Sequence, residues 1–198
     1  MDEPTRSARA GTTLRRALLT TAAWTAPMAV VATAAPALAA SVACEMSFPP
    51  PSSGNGWSPQ TTPGNILSGT SGSWQFTNGG YIVTRDPNQA YDGAITVEVT
   101  SPPISFQAGF EYLFTFDYEL FEEGPRSMTF DLLVDGEVVP GSHLDTADAP
   151  GTGSVEALYT ATSTGEKTVS LLFTFESGTE ETASDGIRVS GLTAECAA

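Results

Sequence analysis

Basic side chains and the residues that most often carry out chemistry are scarce in this sequence. Its 198 residues include eight lysines and arginines against 23 acidic residues, one histidine and two cysteines. One histidine excludes a histidine-rich zinc site, and the sequence has neither a glycine-rich phosphate loop nor a Gly-x-Ser-x-Gly elbow. The acidic balance makes nucleic acids and anionic membranes poor partners, because like charges repel. We therefore expect no nucleic-acid partner and no enzymatic activity.

The first forty residues differ in composition from the rest of the chain. They carry four of the eight basic side chains, followed by an uncharged, alanine-rich run that ends in Ala37-Leu38-Ala39. A basic start, an apolar middle and a small-residue end are typical of a secretory signal peptide. We predict that residues 1–40 are removed and that the protein is secreted or held at the cell surface. An uncleaved membrane anchor is the alternative, although Pro27 and Pro36 interrupt the run.

The pair Arg15-Arg16, followed by leucines, resembles a twin-arginine export signal. The bulky aromatic residue that usually follows such a pair is missing, so the general secretory route is an equal alternative. The leader is similar to those of cell-surface proteins of high-GC Gram-positive bacteria.

Residues 41–198 have the length of one domain. They contain 21 acidic and four basic side chains, a net charge of −17. Such a chain can bury about 70 per cent of its unfolded surface in a single core. We expect a monomer with no membrane insertion after signal cleavage.

Two cysteines, Cys44 and Cys196, lie at opposite ends of this domain. In an oxidising compartment two such residues are expected to pair. The bridge would bring the first and last strands together. Two unpaired, buried thiols are the alternative.

The stretch from Phe110 to Val139 shows the strongest periodic pattern in the chain. Apolar residues occupy alternate positions from Phe110 to Leu120 and again from Met128 to Val134. This period of two is typical of strands with one apolar face. Gly124-Pro125 lies between the two runs and can form a turn. We predict that the two strands pair as an antiparallel hairpin.

Turn and strand signals alternate through the rest of the domain. A short strand is predicted over residues 41–48, a long Pro/Gly/Ser-rich loop over residues 49–72, a hairpin turn at Asn78-Gly79-Gly80 and a tight turn at Asp135-Gly136. About nine strands and no amphipathic helix predict an all-β fold, a two-sheet antiparallel β-sandwich.

The order of these parts resembles a known architecture. Ser101-Pro102-Pro103-Ile104 ends one strand, a run from Gly109 to Tyr118 follows, and Ser184-Asp185-Gly186-Ile187 opens the last strand. The arrangement is similar to the jelly-roll sandwich of galactose-binding-like domains, which include many carbohydrate-binding modules of secreted glycoside hydrolases. The resemblance implies a jelly roll and a non-catalytic module that binds a polysaccharide or a cell-surface glycan.

The resemblance also implies a structural calcium site. Such modules often end in a strand with two adjacent acids, but here Gly186 follows Asp185. Glu45 could face Asp185 if the ends of the domain pair, which makes these two residues candidate calcium ligands. Calcium needs several oxygen ligands, so two solvated carboxylates are the alternative.

Sugar binding needs flat aromatic rings, because a pyranose ring stacks its C–H face on them. The candidate stacking residues are Trp57, Trp74, Tyr81 and Tyr91, with amides and acids for the ring hydroxyls at Gln75, Asn78, Asn88 and Asp92. Large aromatic residues more often belong to a core, and this is the alternative for Trp74 in particular.

Two other functions stay open at the level of sequence. A structural or adhesive surface protein would use the same sandwich to contact other proteins. A small hydrolase could use Asp117 and Glu119, which share the face opposite the aromatic row. His143 lies beside Ser142 and near Asp145, but adjacent residues rarely form a catalytic triad.

Overall fold

The structure is a computed structural model, and it consists of strands and short loops. It describes residues 44–62, 74–83, 95–121, 127–148, 151–175 and 185–197. All of these belong to one compact unit, Val42–Ala198. The predicted signal peptide, residues 1–40, lies outside the described residues. Among the described residues, no helix is long and apolar enough to cross a membrane. The strands are β1 (Ser58–Thr62), β2 (Trp74–Thr77), β3 (Gly80–Val83), β4 (Ile95–Thr100), β5 (Ile104–Phe106), β6 (Glu111–Phe121), β7 (Met128–Val134), β8 (Glu137–Val138), β9 (Leu144–Asp145), β10 (Gly151–Thr160), β11 (Gly165–Lys167), β12 (Val169–Phe175) and β13 (Gly186–Cys196).

Two antiparallel sheets face each other across one core. The six-stranded sheet has the order β1-β4-β12-β7-β8, and β9 also pairs with β7. The five-stranded sheet has the order β10-β6-β13-β3-β2, and β5 and β11 form a separate pair. The predicted all-β, jelly-roll type sandwich is therefore confirmed.

The alternating pattern of the central strands fills the space between the sheets. Phe114 and Phe116 of β6 are at most 1% exposed, and Phe130 of β7 is fully buried. The rings of Phe116 and Phe130 meet edge to face with centroids 5.4 Å apart. Edge-to-face contact is favoured because the positive ring edge meets the negative ring face. A row of apolar side chains from the inner face of each sheet therefore forms the core.

The predicted hairpin of β6 and β7 is wrong. β6 pairs with β10 and β13, whereas β7 pairs with β12, β8 and β9 in the other sheet. Both strands have apolar side chains at alternate positions. The apolar side chains of β6 pack against those of β7 across the core, from opposite sheets. Period-two alternation identifies the side chains that face the core, but it does not identify the neighbouring strand.

The beginning of the domain also differs from the prediction. Cys44–Phe48 forms no strand, and the segment predicted as a loop contains a 3-10 turn at Ser53–Asn55 and the strand β1, which pairs with β4. The predicted disulfide is confirmed, with the Cys44 and Cys196 Cα atoms 6.0 Å apart. The bond fastens an unpaired segment, rather than a strand, to the end of β13.

Two predicted turns are confirmed. β2 and β3 are joined by Asn78-Gly79, and β7 and β8 are joined by Asp135-Gly136. Asp135 and Gly136 have φ angles of 50° and 81°. A two-residue turn with both φ angles positive matches the right-handed twist of the strands that it joins, and Asp-Gly is a preferred pair there.

Candidate functional site

Two of the predicted sugar-stacking residues are core residues. Trp57 is 3% exposed and Tyr81 is 2% exposed, so neither ring presents a face to solvent. The Trp57 ring packs against Phe48, and its Nε1 donates to the Pro49 carbonyl at 3.0 Å. Burial also raises the pKa of the Tyr81 hydroxyl. The prediction of an exposed platform from Trp57 and Tyr81 is therefore wrong.

The other two predicted stacking residues have different outcomes. Trp74 is half-buried and stacks on Phe175 of the opposite sheet, with ring centroids 5.7 Å apart and planes 21° apart. Tyr91 lies outside the described residues, as do Asn88 and Asp92. Gln75 and Asn78 are exposed. A sugar-stacking role for Tyr91 stays a prediction.

The two candidate calcium ligands lie at opposite ends of β13. Asp185 immediately precedes this strand, whereas Glu45 is adjacent to Cys44, which is bonded to Cys196 at its far end. A strand of this length separates the two carboxylates by roughly 30 Å, at about 3.3 Å per residue. Glu45 and Asp185 therefore cannot hold the same ion. Among the described residues, no group of three His, Cys, Asp or Glu side chains could hold a metal ion.

Polar side chains converge on the outer face of the five-stranded sheet. Asp117 of β6 is exposed there and lies between Ser154 of β10 and Ser190 of β13, its direct partners in the strand register. Residues directly opposite each other have β-carbons about 5 Å apart. The Ser154 hydroxyl donates to the Phe116 carbonyl at 3.3 Å, so its lone pairs remain available to accept. A carboxylate with a hydroxyl on each side thus occupies the middle of this face.

A fixed guanidinium lies beside this group. Arg188 of β13 is the register partner of Glu119, and the two side chains form a salt bridge. The Arg188 guanidinium carbon also lies 5.2 Å from the centre of the Phe121 ring. A cation over an aromatic face is attracted to its negative potential. Glu119 and Phe121 together hold the guanidinium in place while 41% of the Arg188 side chain stays exposed.

A β-bulge interrupts β13 next to Asp117. The register with β6 shifts between Ser190 and Thr193, and Gly191 there has a φ of 62°. The Gly191 amide donates to the Asn78 carbonyl at 2.9 Å. The position that a Gly191 β-carbon would occupy is 3.7 Å from Oδ2 of Asp117. Bulges often lie beside binding sites, where they re-aim side chains, and this one places glycine backbone beside the exposed carboxylate.

The residues considered for catalysis do not assemble into a reactive set. Asp117 and Glu119 do share one face, about 7 Å apart along the strand, but Glu119 is bound to Arg188. Ser142 is fully buried and its hydroxyl donates to the Val139 carbonyl at 2.8 Å. His143 instead contacts Asp131, with Nδ1 2.9 Å from Oδ1. Ser142 and His143 therefore form hydrogen bonds with different residues and not with each other.

A second charged group fastens the β7–β8 turn of the six-stranded sheet, whereas Asp117 belongs to the five-stranded sheet. Lys167 donates to Asp135 at 3.0 Å, and the Thr168 amide donates to the same carboxylate. Burial acts to raise the pKa of Asp135. The two hydrogen bonds lower the pKa by more than burial raises it, so the pKa of Asp135 is below its usual value. The hydrogen bond to Asp135 raises the pKa of Lys167. Burial raises the pKa of Tyr159, which also contacts Lys167.

Part of the polar face was missed by reasoning from sequence. The outward positions of β6 were readable, because Asp117 and Glu119 alternate with the aromatic row. Ser154, Arg188 and Ser190 were not identified, since their place beside β6 depends on strand pairing across 37 to 73 positions in sequence. Local periodicity carries no signal of that pairing.

Comparisons with known proteins give structural neighbours alone. No protein-family model matches the chain, and no curated protein matches it. The C-terminal domain of EclA, a sugar-binding protein, is 16% identical over 67% of this chain and 85% of its own, with a TM-score of 0.39. A carbohydrate-binding module, CBM4, is 14% identical over 71% of this chain and 86% of its own, with a TM-score of 0.41.

An enzyme is also among these neighbours. A cyclase from Fischerella sp. TAU, in complex with 4-(1H-Indol-3-yl)butan-2-one, is 16% identical over 78% of this chain and 89% of its own, with a TM-score of 0.40. Carbohydrate-binding modules and an enzyme therefore both occur among the structural neighbours. At these identities the likeness does not extend to a ligand or an activity.

Proposed function

We propose that this chain is a secreted, non-catalytic module that binds carbohydrate on the outer face of its five-stranded sheet. The observation that carries the proposal is the arrangement around Asp117, an exposed carboxylate between Ser154 and Ser190 with the Arg188 guanidinium one register step away. Adjacent hydroxyls of a sugar ring both donate and accept hydrogen bonds. Charged partners make the stronger bonds of this kind.

Each group on this face has a defined part in the proposal. Asp117 accepts from a pair of sugar hydroxyls, Arg188 donates to a sugar oxygen, and the two serine hydroxyls contribute to the rim. Phe121 supports Arg188 through its ring face, 5.2 Å from the guanidinium carbon. A ring that stacks on the sugar is proposed from the sequence alone at Tyr91, which lies outside the described residues. The disulfide between Cys44 and Cys196 supports an extracellular location, because such bonds persist in oxidising compartments.

Affinity electrophoresis against a panel of neutral polysaccharides tests the proposal. We expect retardation by at least one polysaccharide, and the Asp117→Asn variant should bind about tenfold to hundredfold more weakly because it loses a charge-assisted hydrogen bond. Glu98→Gln is the matched control, since Glu98 lies on the outer face of the other sheet. A panel without any retardation, or equal weakening by both variants, would remove the proposed site.

A further inference from the structure

Among the described strands, β10 has the longest edge that pairs with no further strand. β10 is ten residues long, ends the five-stranded sheet and, among the described residues, pairs with β6 alone. Its register with β6 runs through all ten pairs without a shift. Half of the backbone amides and carbonyls of such a strand point away from the sheet. β10 therefore offers a regular, extended row of hydrogen-bonding groups.

The other described edges are short or contain proline. β2 has four residues, β8 and β9 have two each, and β1 has Pro59 near its centre. Short strands, prolines, lysines and bulges are the usual means by which proteins prevent unwanted pairing at an edge. β10 contains no proline, no lysine and no register shift. Its edge thus lacks the protection that β1, β2 and β8 have.

The side chains of β10 leave room for an incoming strand. Its outward residues alternate with the core and are all exposed, namely Thr152, Ser154, Glu156, Leu158 and Thr160. Leu158 is 42% exposed although it is a large apolar residue, and its register partner is Leu113. Leu158 and Glu156 are two positions apart on one face, so a paired strand would place one side chain beside each.

Charge decides which kind of strand fits. Glu156 is the only charged residue of β10, and the outer face of β6 adds Glu111, Asp117 and Glu119. Arg188, the basic residue on this face, is already bound to Glu119. A second copy would bring its own Glu156 and no cation, and the chain has a net charge of −15. Opposite charges across a strand pair stabilise it and like charges do the reverse.

We propose that β10 is a strand-addition site for an extended segment of another protein that carries lysine or arginine beside Glu156 and an apolar side chain beside Leu158. The incoming strand extends the five-stranded sheet by one strand through backbone hydrogen bonds, which supply affinity. Glu156 and Leu158 select its side chains. The site does not depend on carbohydrate binding.

A synthetic peptide of about ten residues, with lysine alternating with valine, is the probe. We expect it to bind the full-length protein and to protect β10 amides from hydrogen exchange. Glu156→Lys should weaken binding about tenfold, because it reverses the charge beside the incoming strand. Glu98→Lys, on the outer face of the other sheet, should leave the affinity unchanged. Circular dichroism should show that both variants fold, because neither side chain belongs to the core.

Two further peptides separate strand addition from simple charge attraction. A lysine–proline peptide has the same charge but cannot form the backbone ladder, and a glutamate–valine peptide can form the ladder but has the opposite charge. Both should bind far more weakly than the lysine–valine peptide. Equal binding by either peptide, protection at β1 or β2 instead of β10, no binding at all, or self-association through β10 in light scattering would each overturn the proposal.

Discussion

Gly80 lies so close to the backbone of Val189 that no side chain fits between them. A β-carbon on Gly80 would be 2.0 Å from the Val189 carbonyl oxygen. The contact joins β3 to β13, the strand that carries Arg188 and Ser190. On the next strand, the Thr77 hydroxyl donates to the same carbonyl at 3.0 Å. This close approach holds β2 and β3 against the strand that forms the candidate site.

Replacing Gly80 by alanine should therefore destabilise the protein. We expect Gly80→Ala to lower the free energy of unfolding by about 2–3 kcal/mol, because the clash is with backbone that must shift. Gly151→Ala is the matched control, since a β-carbon there meets nothing within 4 Å. Its effect should stay within about 0.5 kcal/mol. Urea unfolding of both variants measures the difference, and equal stabilities would contradict the close contact.

Breaking the disulfide should have a larger effect. Cys44 and Cys196 are 152 positions apart, so the bond closes nearly the whole domain. Replacing both by serine should lower the free energy of unfolding by about 4–5 kcal/mol in the chain-entropy model. Guanidinium unfolding of the wild type and the double variant under oxidising conditions measures this loss. A loss below about 1 kcal/mol would show that the bond constrains the unfolded chain very little.

Trp57 should affect stability rather than ligand binding. Its ring is 3% exposed and contacts Phe48, which in turn meets Phe114. Trp57→Ala should cost about 3–5 kcal/mol because it leaves a cavity, and the milder Trp57→Phe should cost less. Gln60→Ala, at an exposed position of β1, is the control. If folded Trp57→Phe protein lost polysaccharide binding at unchanged stability, the assignment of Trp57 to the core would fail.

The Asp135–Lys167 pair predicts a dependence of stability on pH. The pKa of Asp135 is lowered in the folded protein, so the contribution of this group is present above its unfolded pKa, about 4, and is lost as pH falls through the folded value. Asp135→Asn keeps the turn, since Asn-Gly suits it equally. The difference in stability between wild type and variant should therefore shrink below about pH 4. Urea unfolding at a series of pH values measures it, and a difference that persists in acid would contradict the pairing.

The sequence pattern was sufficient to predict the elements that depend on residues close together in the chain. The alternation from Phe110 to Leu120 corresponds to the buried row of β6, and the Asp135-Gly136 turn forms because these residues tolerate positive φ. The export context predicted the pairing of Cys44 with Cys196. Each of these features depends on neighbouring residues or on two cysteines alone.

Long-range pairing accounts for the errors. β6 and β7 are adjacent in sequence and equally apolar, yet they cover each other from opposite sheets. Trp57 lies in a polar, proline-rich stretch, which suggested exposure, but its ring packs on Phe48, which in turn contacts the distant Phe114 of β6. Arg188 reaches Glu119 across 69 positions. Such relationships follow from how strands combine, and a single sequence does not encode them in its local periodicity.

Backbone amide shifts during titration with soluble oligosaccharides test the proposed carbohydrate site most directly. We predict shifts confined to the residues around Asp117 on β6, Ser154 on β10 and the bulge at Gly191 on β13, and their loss in Asp117→Asn. No shift with any neutral oligosaccharide, or shifts centred on Glu98 and Leu172 of the other sheet, would contradict a carbohydrate site on the five-stranded face.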